Sequence, residues 1–329
     1  MPVNDKIRVL EYNNIRAKVI GVLGAGSGNF GYGQVLSSSD VSISSKVTVN
    51  EYALLRNDII NAYRHIFGSN PVLATPAEGN TIRYSTTFTP STANSPITQY
   101  DTWADQLIAN RFTVAGSQAI TASKGSQSRN FTSVWTTRLE CTITVNFTTA
   151  NQARFFFNSG GEIRFGSSRS GGTANPFPGH IQNNAWTTLL ASANARFGGN
   201  FPSIGTSPAD GQNYYRLNNS AFGSISPFYT VSASSPYSLN VWRVKARATD
   251  TANNSTGTCK QMEFLVEWID GYTDPTAGLP GNPPPGDQVD GLITVSVSTQ
   301  EAFGALVPVS AGNFTVESPV VNYSSISGS

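Results

Sequence analysis

The sequence predicts an α+β protein, in which a small helical N-terminal region is followed by a β-dominated region of antiparallel, sandwich-like strands. Two periodicities predict this class. Apolar residues recur at spacings of three and four within the first 111 residues, as on one face of a helix. From residue 112 onwards apolar and polar residues alternate, as in half-buried strands. The predicted organisation is residues 1–111, helices and loops; 112–273, an antiparallel β domain with a short helix; 274–291, a Pro/Gly-rich connector; and 292–329, C-terminal strands.

Three amphipathic helices are predicted in the N-terminal region. They cover residues 11–23, 50–67 and 97–110. Gly24 and Gly68 stand where helix-ending glycines belong. Thr48 and Glu51 form the capping-box pattern that opens the second helix. His65, near the end of that helix, suits the negative end of the helix dipole.

A glycine-rich stretch after the first helix matches G-x-G-x-x-G, the pattern of dinucleotide-binding loops, through Gly26, Gly28 and Gly31. A functional loop of this kind follows a strand and opens a helix, because the helix N-terminus binds the pyrophosphate. Here a helix is predicted before the glycines and an extended, serine-rich segment after them. The order of elements is wrong, so the sequence predicts no nucleotide cofactor.

Two predicted strands of the β domain carry complementary charges. Residues 241–248 place three basic side chains on one face, and residues 261–268 place two carboxylates on one phase. Pairing across the strands would stabilise a hairpin by less than about 1 kcal/mol per pair. The side chains concerned are Arg243, Lys245, Arg247, Glu263 and Glu267.

The remaining elements follow from the same periodicities. A strand is predicted over residues 139–147, a hairpin from residues 154–157 and 162–165 around Asn158-Ser159-Gly160-Gly161, and a short helix over residues 184–193. After the connector, strands are predicted over residues 292–298 and 314–326. The sequence leaves open whether these last strands join the chain's own sheet or that of a neighbouring subunit.

The composition argues against nucleic acids and membranes as binding partners. Charged residues make up only 12% of the chain and the formal net charge is +1, so there is no basic excess to neutralise the phosphates of a nucleic acid. No apolar run is long enough to insert into a membrane, and no secretory signal is recognisable. Cys141 falls on the apolar phase of a strand, which is typical of a buried thiol.

Groups able to do chemistry are scattered along the chain. His180 lies in a Pro/Gly loop without other ligands at zinc spacing. Turn formation explains Asp250, Asp270 and Asp274 more simply than a calcium site does. Neither a nucleophile elbow nor the context of a reactive cysteine occurs. The sequence therefore predicts no metal, no cofactor and no catalytic residue.

A glycan-degrading enzyme is a minor alternative, because folding can bring together two carboxylates that are distant in sequence. No local signature supports it. The acidic residues on predicted strands are Glu140, Glu162, Glu263 and Glu267.

Several stretches carry a resemblance to a known family. They are residues 12–16 (YNNIR), 26–34 (GSGNFGYGQ), 55–63 (LRNDIINAY), 155–165 (FFFNSGGEIRF), 183–186 (NNAW), 281–287 (GNPPPGD) and 312–316 (GNFTV). In these motifs the chain resembles virion structural proteins of large, contractile-tailed bacteriophages, especially those that infect marine cyanobacteria. The resemblance covers most of the chain and identifies a family, not a chemistry.

The resemblance implies a non-enzymatic virion structural protein, folded in the host bacterial cytoplasm and built into the particle as a symmetric homo-oligomer beside other virion proteins. A tail, baseplate or fibre position is favoured, and a head or neck appendage is the alternative. Residues 1–111 would then be the assembly region, with Phe30 and Tyr32 as contact residues. A second alternative is a fibre module that binds host-surface glycan, with Tyr214 and Tyr215 stacking on sugar rings.

Overall fold

A computed structural model describes residues 9–25, 31–43, 45–76, 96–113, 115, 119–121, 127–172, 182–198, 213–272 and 288–302. Within these residues the chain has the predicted α+β fold, with five α-helices and two antiparallel sheets. It divides into two compact units. The helical unit is built mainly from Met1–Ile120 and Arg154–Gly161, and the β unit mainly from Thr121–Ala153 and Glu162–Gln300.

The helical unit contains three long helices that all contact one another. They are α1 (Val9–Leu23), α2 (Val49–Phe67) and α3 (Pro96–Asn110), which confirms the three predicted helices to within two residues at each end. Each helix contributes one fully buried tyrosine to the core, namely Tyr12, Tyr52 and Tyr100. The ring centroids are 5.3 Å apart in the first pair and 5.9 Å apart in the second.

The ends of α2 are fixed as its sequence predicts. The Thr48 side chain accepts a hydrogen bond from the backbone N–H of Glu51, and the Glu51 carboxylate accepts one from the backbone N–H of Thr48. Gly68 ends the helix at a φ of 75°, and its N–H donates to the carbonyl of Arg64 at 2.9 Å. A left-handed φ of this kind is the conformation that glycine adopts without penalty.

The β unit is a sandwich of two sheets. One sheet has the order β3-β8-β7-β6, formed by β3 (Arg138–Asn146), β6 (Tyr229–Ser232), β7 (Val241–Ala248) and β8 (Gln261–Ile269). The other has the order β1-β9-β4-β5, with β2 also paired to β9; its strands are β1 (Ala119–Thr121), β2 (Gln127–Phe131), β4 (Glu162–Ser170), β5 (Asn194–Phe197) and β9 (Leu292–Ala302). Phe165 and Phe197 of this sheet pack on Phe264 of the other, with centroids 4.7 and 5.0 Å apart.

Strand β9 joins the chain's own sheet, which answers the question that the sequence left open. It lies between two partners, since Val295 is opposite Ser167 of β4 and also opposite Arg129 of β2. Its inward residues Ile293 and Val297 are buried. The strand predicted over residues 314–326 and most of the predicted connector lie outside the described residues.

The predicted hairpin around residues 158–161 is wrong. Residues 150–158 form a helix, α4 (Ala150–Asn158), and only the second half of the hairpin is a strand, β4. The helix begins with a reciprocal cap, because the Thr149 hydroxyl accepts from the N–H of Gln152 and the Gln152 side chain accepts from the N–H of Thr149. Gly160, at a φ of 86°, ends this helix rather than turning a hairpin.

The second short helix, α5 (Asn183–Ala191), lies against β4 within the β unit. Its buried side, which includes Trp186, Leu189 and Leu190, follows the apolar spacing expected of a packed helix. None of the described helices combines the length and the apolar character that crossing a bilayer requires.

Candidate functional site: a hydroxyl-lined cleft in the β unit

Tyr32 belongs to the core of the helical unit. Only 1% of it is exposed, its hydroxyl donates to the carbonyl of Arg111 at 2.5 Å, and its ring lies edge-on to His65 with centroids 5.1 Å apart. The prediction that Tyr32 contacts another subunit is therefore wrong, because its ring is already enclosed by its own chain. Phe30 lies outside the described residues.

His65 is a buried, neutral side chain. Its Nε2 lies 2.8 Å from the carbonyl oxygen of Ser159, so Nε2 carries the proton and donates. Burial lowers the pKa of the imidazole from its usual 6.5 to about 4, against the hydrogen bond to Ser159, which raises it. The expected role as a charge at the end of α2 is wrong, since the ring is uncharged at neutral pH. His180 lies outside the described residues.

Tyr214 is also a core residue. It is fully buried, and its hydroxyl donates to the carbonyl oxygens of Gly257 and Cys259 at 3.2 and 2.8 Å. The hypothesis that its ring stacks on a sugar is wrong, because no face of it is accessible. Tyr215 is partly exposed and packs edge-on against Tyr214 with centroids 5.1 Å apart.

The predicted cross-strand ion pairs form on the outer face of the four-stranded sheet. Arg243 is opposite Glu267, and its Nε donates to the carboxylate at 2.6 Å; Arg247 is opposite Glu263, at 2.8 Å. Lys245 is buried, and its Nζ lies 3.7 Å from the Glu267 carboxylate. These contacts use the basic side chains of β7 within the sheet itself.

Two of the candidate carboxylates lie side by side. Glu140 and Glu267 are direct cross-strand partners, and Arg138 bridges both. Burial alone would raise the pKa of Glu267, but the hydrogen bond from Arg243 and the charges of Arg243, Lys245 and Arg138 outweigh it and hold that pKa below its usual range. A general acid for glycoside hydrolysis needs the opposite shift, so the environment of this pair is that of an ion-pair cluster.

The aspartates considered for calcium are far apart. Asp250 follows β7 beside the start of β8, and its carboxylate accepts from the N–H of Lys260 at 2.9 Å. Asp270 follows the other end of β8. A joint site of Asp250 and Asp270 is therefore excluded, and Asp274 lies outside the described residues. In the part of the chain that the structure describes, no cluster of three potential metal ligands occurs.

The β unit has a cleft of about 350 Å³ beside α5. One wall is formed by α5 and the residue that follows it: Asn184, Thr188 and Ser192 are exposed, Ala185 is partly exposed and Leu189 is buried. The other wall is the end of β6 and the loop that follows it, formed by Ser232, Ala233, Ser234, Ser235 and Tyr237. Seven of these ten residues carry a hydroxyl or an amide and none carries a formal charge at neutral pH.

A buried hydrogen-bond network ties the two walls together at their base. The Gln182 side chain, just before α5, donates to the Asp270 carboxylate at 2.6 Å and accepts from the Asn240 amide at 2.8 Å. Asn240 also accepts from the backbone N–H of Tyr272 at 3.1 Å. Tyr272 in turn packs edge-on against Tyr237 with centroids 4.7 Å apart. The network therefore fixes both the spacing of the walls and the orientation of the Tyr237 ring.

A second polar cluster anchors the start of α5. The Asn183 amide donates to the Asp290 carboxylate at 2.6 Å, and the Arg169 guanidinium donates to the Asp290 carbonyl at 2.6 Å and to the Thr187 hydroxyl at 3.1 Å. Only 6% of Arg169 is exposed. Because three elements, β4, α5 and the approach to β9, meet at this cluster, the helix wall of the cleft is held from two sides.

Sequence reasoning did not identify the cleft. Its walls come from segments that are about forty residues apart, and its supporting residues, Gln182, Asn240 and Asp270, are single polar residues in turn-like contexts. The serine-rich run before Tyr237 was a usable signal, since it combines hydroxyls, a proline and an aromatic ring within a short loop. Compared with protein-family models, curated proteins and solved structures, the chain matches none of them.

Proposed function

We propose that this chain is a non-enzymatic structural protein of a bacteriophage virion, a tail-, baseplate- or fibre-associated component that forms a symmetric homo-oligomer through its helical unit. The resemblance of its sequence motifs to virion proteins supports the proposal, and so does a feature of the described residues. Among those residues, both thiols, His65 and Glu267 are buried and engaged in packing or hydrogen bonds.

The main support for a role in assembly is the position of the exposed large apolar side chains. Among the described residues six of eight such side chains belong to the helical unit. Those six are Leu10, Val35, Ile43, Val49, Phe67 and Val72. Val35 and Ile43 are 97% and 94% exposed, and both lie in the segment that links α1 to α2.

Residues 37–41 of this segment are held by side chains of the two flanking helices. The backbone N–H groups of Ser37 and Ser38 both donate to the buried Asp58 carboxylate at 2.9 Å. Further along, the Asn13 side chain bonds both the carbonyl and the N–H of Val41, at 2.8 and 3.1 Å. Because the backbone near Val35 and Ile43 is already fixed, little conformational entropy is lost when a partner covers their exposed side chains. Val35 and Ile43 are therefore the contact residues of the proposed assembly.

The test is to remove the two most exposed side chains together. The double variant Val35→Ser/Ile43→Ser is compared with Val134→Ser/Leu239→Ser, which alters the exposed apolar residues of the β unit. Sedimentation equilibrium is expected to show the intact chain and the control as the same oligomer, and the first variant as smaller species with an unchanged melting temperature. An unchanged mass for the first variant would contradict assembly through this segment.

Antibody labelling of intact particles, viewed by electron microscopy, tests the virion role. Label on the tail or its tip is the expected result. Label on the head or neck would be consistent with a structural role but would contradict the proposed position in the tail, baseplate or fibre. Protein that stays free in the lysate while particles remain unlabelled would overturn the proposal.

A further inference from the structure

We infer that the cleft between α5 and the loop after β6 is a binding site for a neutral saccharide. Its volume of about 350 Å³ falls within the range of small-molecule sites, about 300–1,000 Å³. The inference concerns the β unit alone and does not depend on how the helical unit assembles.

The lining of the cleft selects the chemical class. Asn184, Thr188 and Ser192 line the helix wall, and Ser232, Ser234 and Ser235 line the loop wall. Hydroxyl and amide groups both donate and accept hydrogen bonds, as do the hydroxyls of a sugar. Among the described residues, no charged side chain lines the cleft, so an anionic or cationic ligand would lose its hydration without gaining a counter-charge from them.

Tyr237 supplies the apolar contact that a sugar also needs. One face of a pyranose ring carries C–H groups, which pack on the face of an aromatic ring. The edge-on contact with Tyr272, at 4.7 Å between centroids, holds the Tyr237 ring in one orientation. Tyr237 is partly exposed, unlike Tyr214.

The walls of the cleft are already fixed in the absence of a ligand. Gln182 and Asn240 are 1% and 0% exposed, and their mutual hydrogen bond of 2.8 Å joins the segments that carry the two walls. The backbone of the loop is closed on itself, since the N–H of Asn240 donates to the carbonyl of Tyr237 and the N–H of Ala233 to that of Asn240, both at 2.9 Å. Little ordering remains to be done when a ligand enters.

The experiment uses the full chain and saturation-transfer difference NMR. The probes are neutral oligosaccharides of glucose, mannose, galactose and N-acetylglucosamine, with a heparin fragment and polysialic acid as charged counterparts. We expect saturation transfer to at least one neutral probe and none to the charged ones. Binding of charged probes alone, or of no probe at all, would overturn the inference.

Two pairs of variants locate the site. Thr188→Trp fills the cleft from its exposed helix wall, and Ala191→Trp places the same ring on α5 outside the lining. Tyr237→Ala removes the stacking ring, and Tyr215→Ala removes a partly exposed tyrosine elsewhere. Thr188→Trp should abolish binding and Tyr237→Ala should weaken it about tenfold or more, with both controls close to the intact chain.

Two results with these variants would contradict the inference. Binding that survives Thr188→Trp, or that is lost on Tyr215→Ala but not on Tyr237→Ala, would exclude the cleft as the site. Circular dichroism melting curves for all four variants establish that each chain is folded. Because the variants lie in the β unit, a loss of binding with unchanged oligomeric mass separates this inference from the proposed assembly role.

Discussion

Gly33 and Gly171 have similar backbones and very different surroundings. Both lie at a left-handed φ, +72° and +66°, where other residues pay about 1–2 kcal/mol. A Cβ on Gly33 would lie 2.4 Å from the ring of Phe155, whereas a Cβ on Gly171 would meet nothing within 4 Å. Gly33, at the end of the glycine-rich stretch, therefore allows a close approach between two segments of the helical unit.

Gly33→Ala should destabilise the fold more than Gly171→Ala. Gly171→Ala is expected to lower the free energy of unfolding by about 1 kcal/mol through backbone strain alone. Gly33→Ala adds the displacement of Phe155, for a total of about 3 kcal/mol. Urea unfolding followed by circular dichroism measures both losses. Equal losses would show that the Phe155 ring moves aside freely.

His65 makes the stability of the helical unit depend on pH. The folded imidazole has a pKa of about 4, below its usual 6.5, so the unfolded chain binds the proton first. The stabilisation is complete above about pH 6.5 and is lost as the pH falls towards 4. A difference of this size corresponds to about 3 kcal/mol.

The variant His65→Gln isolates this contribution. A glutamine amide can still donate to the Ser159 carbonyl but does not titrate. We expect the variant to be less stable at pH 7, because the contact with Tyr32 is lost, and to show a flatter fall in unfolding free energy between pH 6.5 and 4.5. Parallel pH profiles for the two proteins would mean that His65 is protonated in the folded state.

Among the elements, strand β8 carries a buried carboxylate and a partly exposed one on the same face, both paired with basic side chains of β7. Glu267 is 0% exposed and contacts three basic side chains, whereas the Glu263 side chain is 24% exposed and contacts Arg247. A partner removed from a buried ion cluster leaves uncompensated charge behind, whereas a surface pair contributes little.

Glu267→Gln should therefore lower the free energy of unfolding by about 3 kcal/mol, and Glu263→Gln by less than about 1 kcal/mol. The two changes are chemically identical and lie four residues apart on one strand, so β-propensity cancels in the comparison. Chemical denaturation of both variants gives the difference. Similar losses would show that water reaches Glu267 freely.

Element ends were predictable where the chain carries a local signal. Thr48 and Glu51 identified the start of α2, and the T-x-x-Q pattern of Thr149 and Gln152 marks the start of α4 in the same way. The hairpin prediction rested on the turn residues Asn158 to Gly161 alone and took no account of the cap at Thr149, which shows that a helix precedes them. Asn158 itself donates to the carbonyl of Gly31 at 2.8 Å, a contact 127 residues away in sequence that no local pattern contains.

At the scale of the whole molecule, periodicity was enough for the fold class but not for the sites. Apolar spacing reports which face of an element is buried, and it located four of the five described helices, all except α4, and most of the long strands. Whether a tyrosine lies inside or outside depends on which loop covers it, and Tyr32 and Tyr214 are covered by segments distant in sequence. The cleft is non-local for the same reason, since Gln182 and Asn240 meet only in the folded chain.

The two thiols provide a global readout of the β unit. Cys141 and Cys259 are 2% and 0% exposed, and burial raises the pKa of both, that of Cys141 to about 12. At pH 8 the folded chain should react negligibly with Ellman's reagent over an hour, and the denatured chain should release two equivalents. The variant Ala221→Cys, at an exposed position, should react at once. Rapid labelling of the unaltered chain would indicate local opening around one thiol.

The central place of β9 has a consequence for biosynthesis. Its partner β4 ends at Ser170, and the 121 residues from 171 to 291 must be made before the first residue of β9 is available. At about 5–20 residues per second that interval lasts roughly 6–24 s. During it, one edge of β4 offers unpaired N–H and C=O groups to any strand nearby, including those of neighbouring chains on the same polysome. Slower translation after residue 170 should therefore lower the yield of soluble protein, and trigger factor or a similar nascent-chain chaperone should restore it.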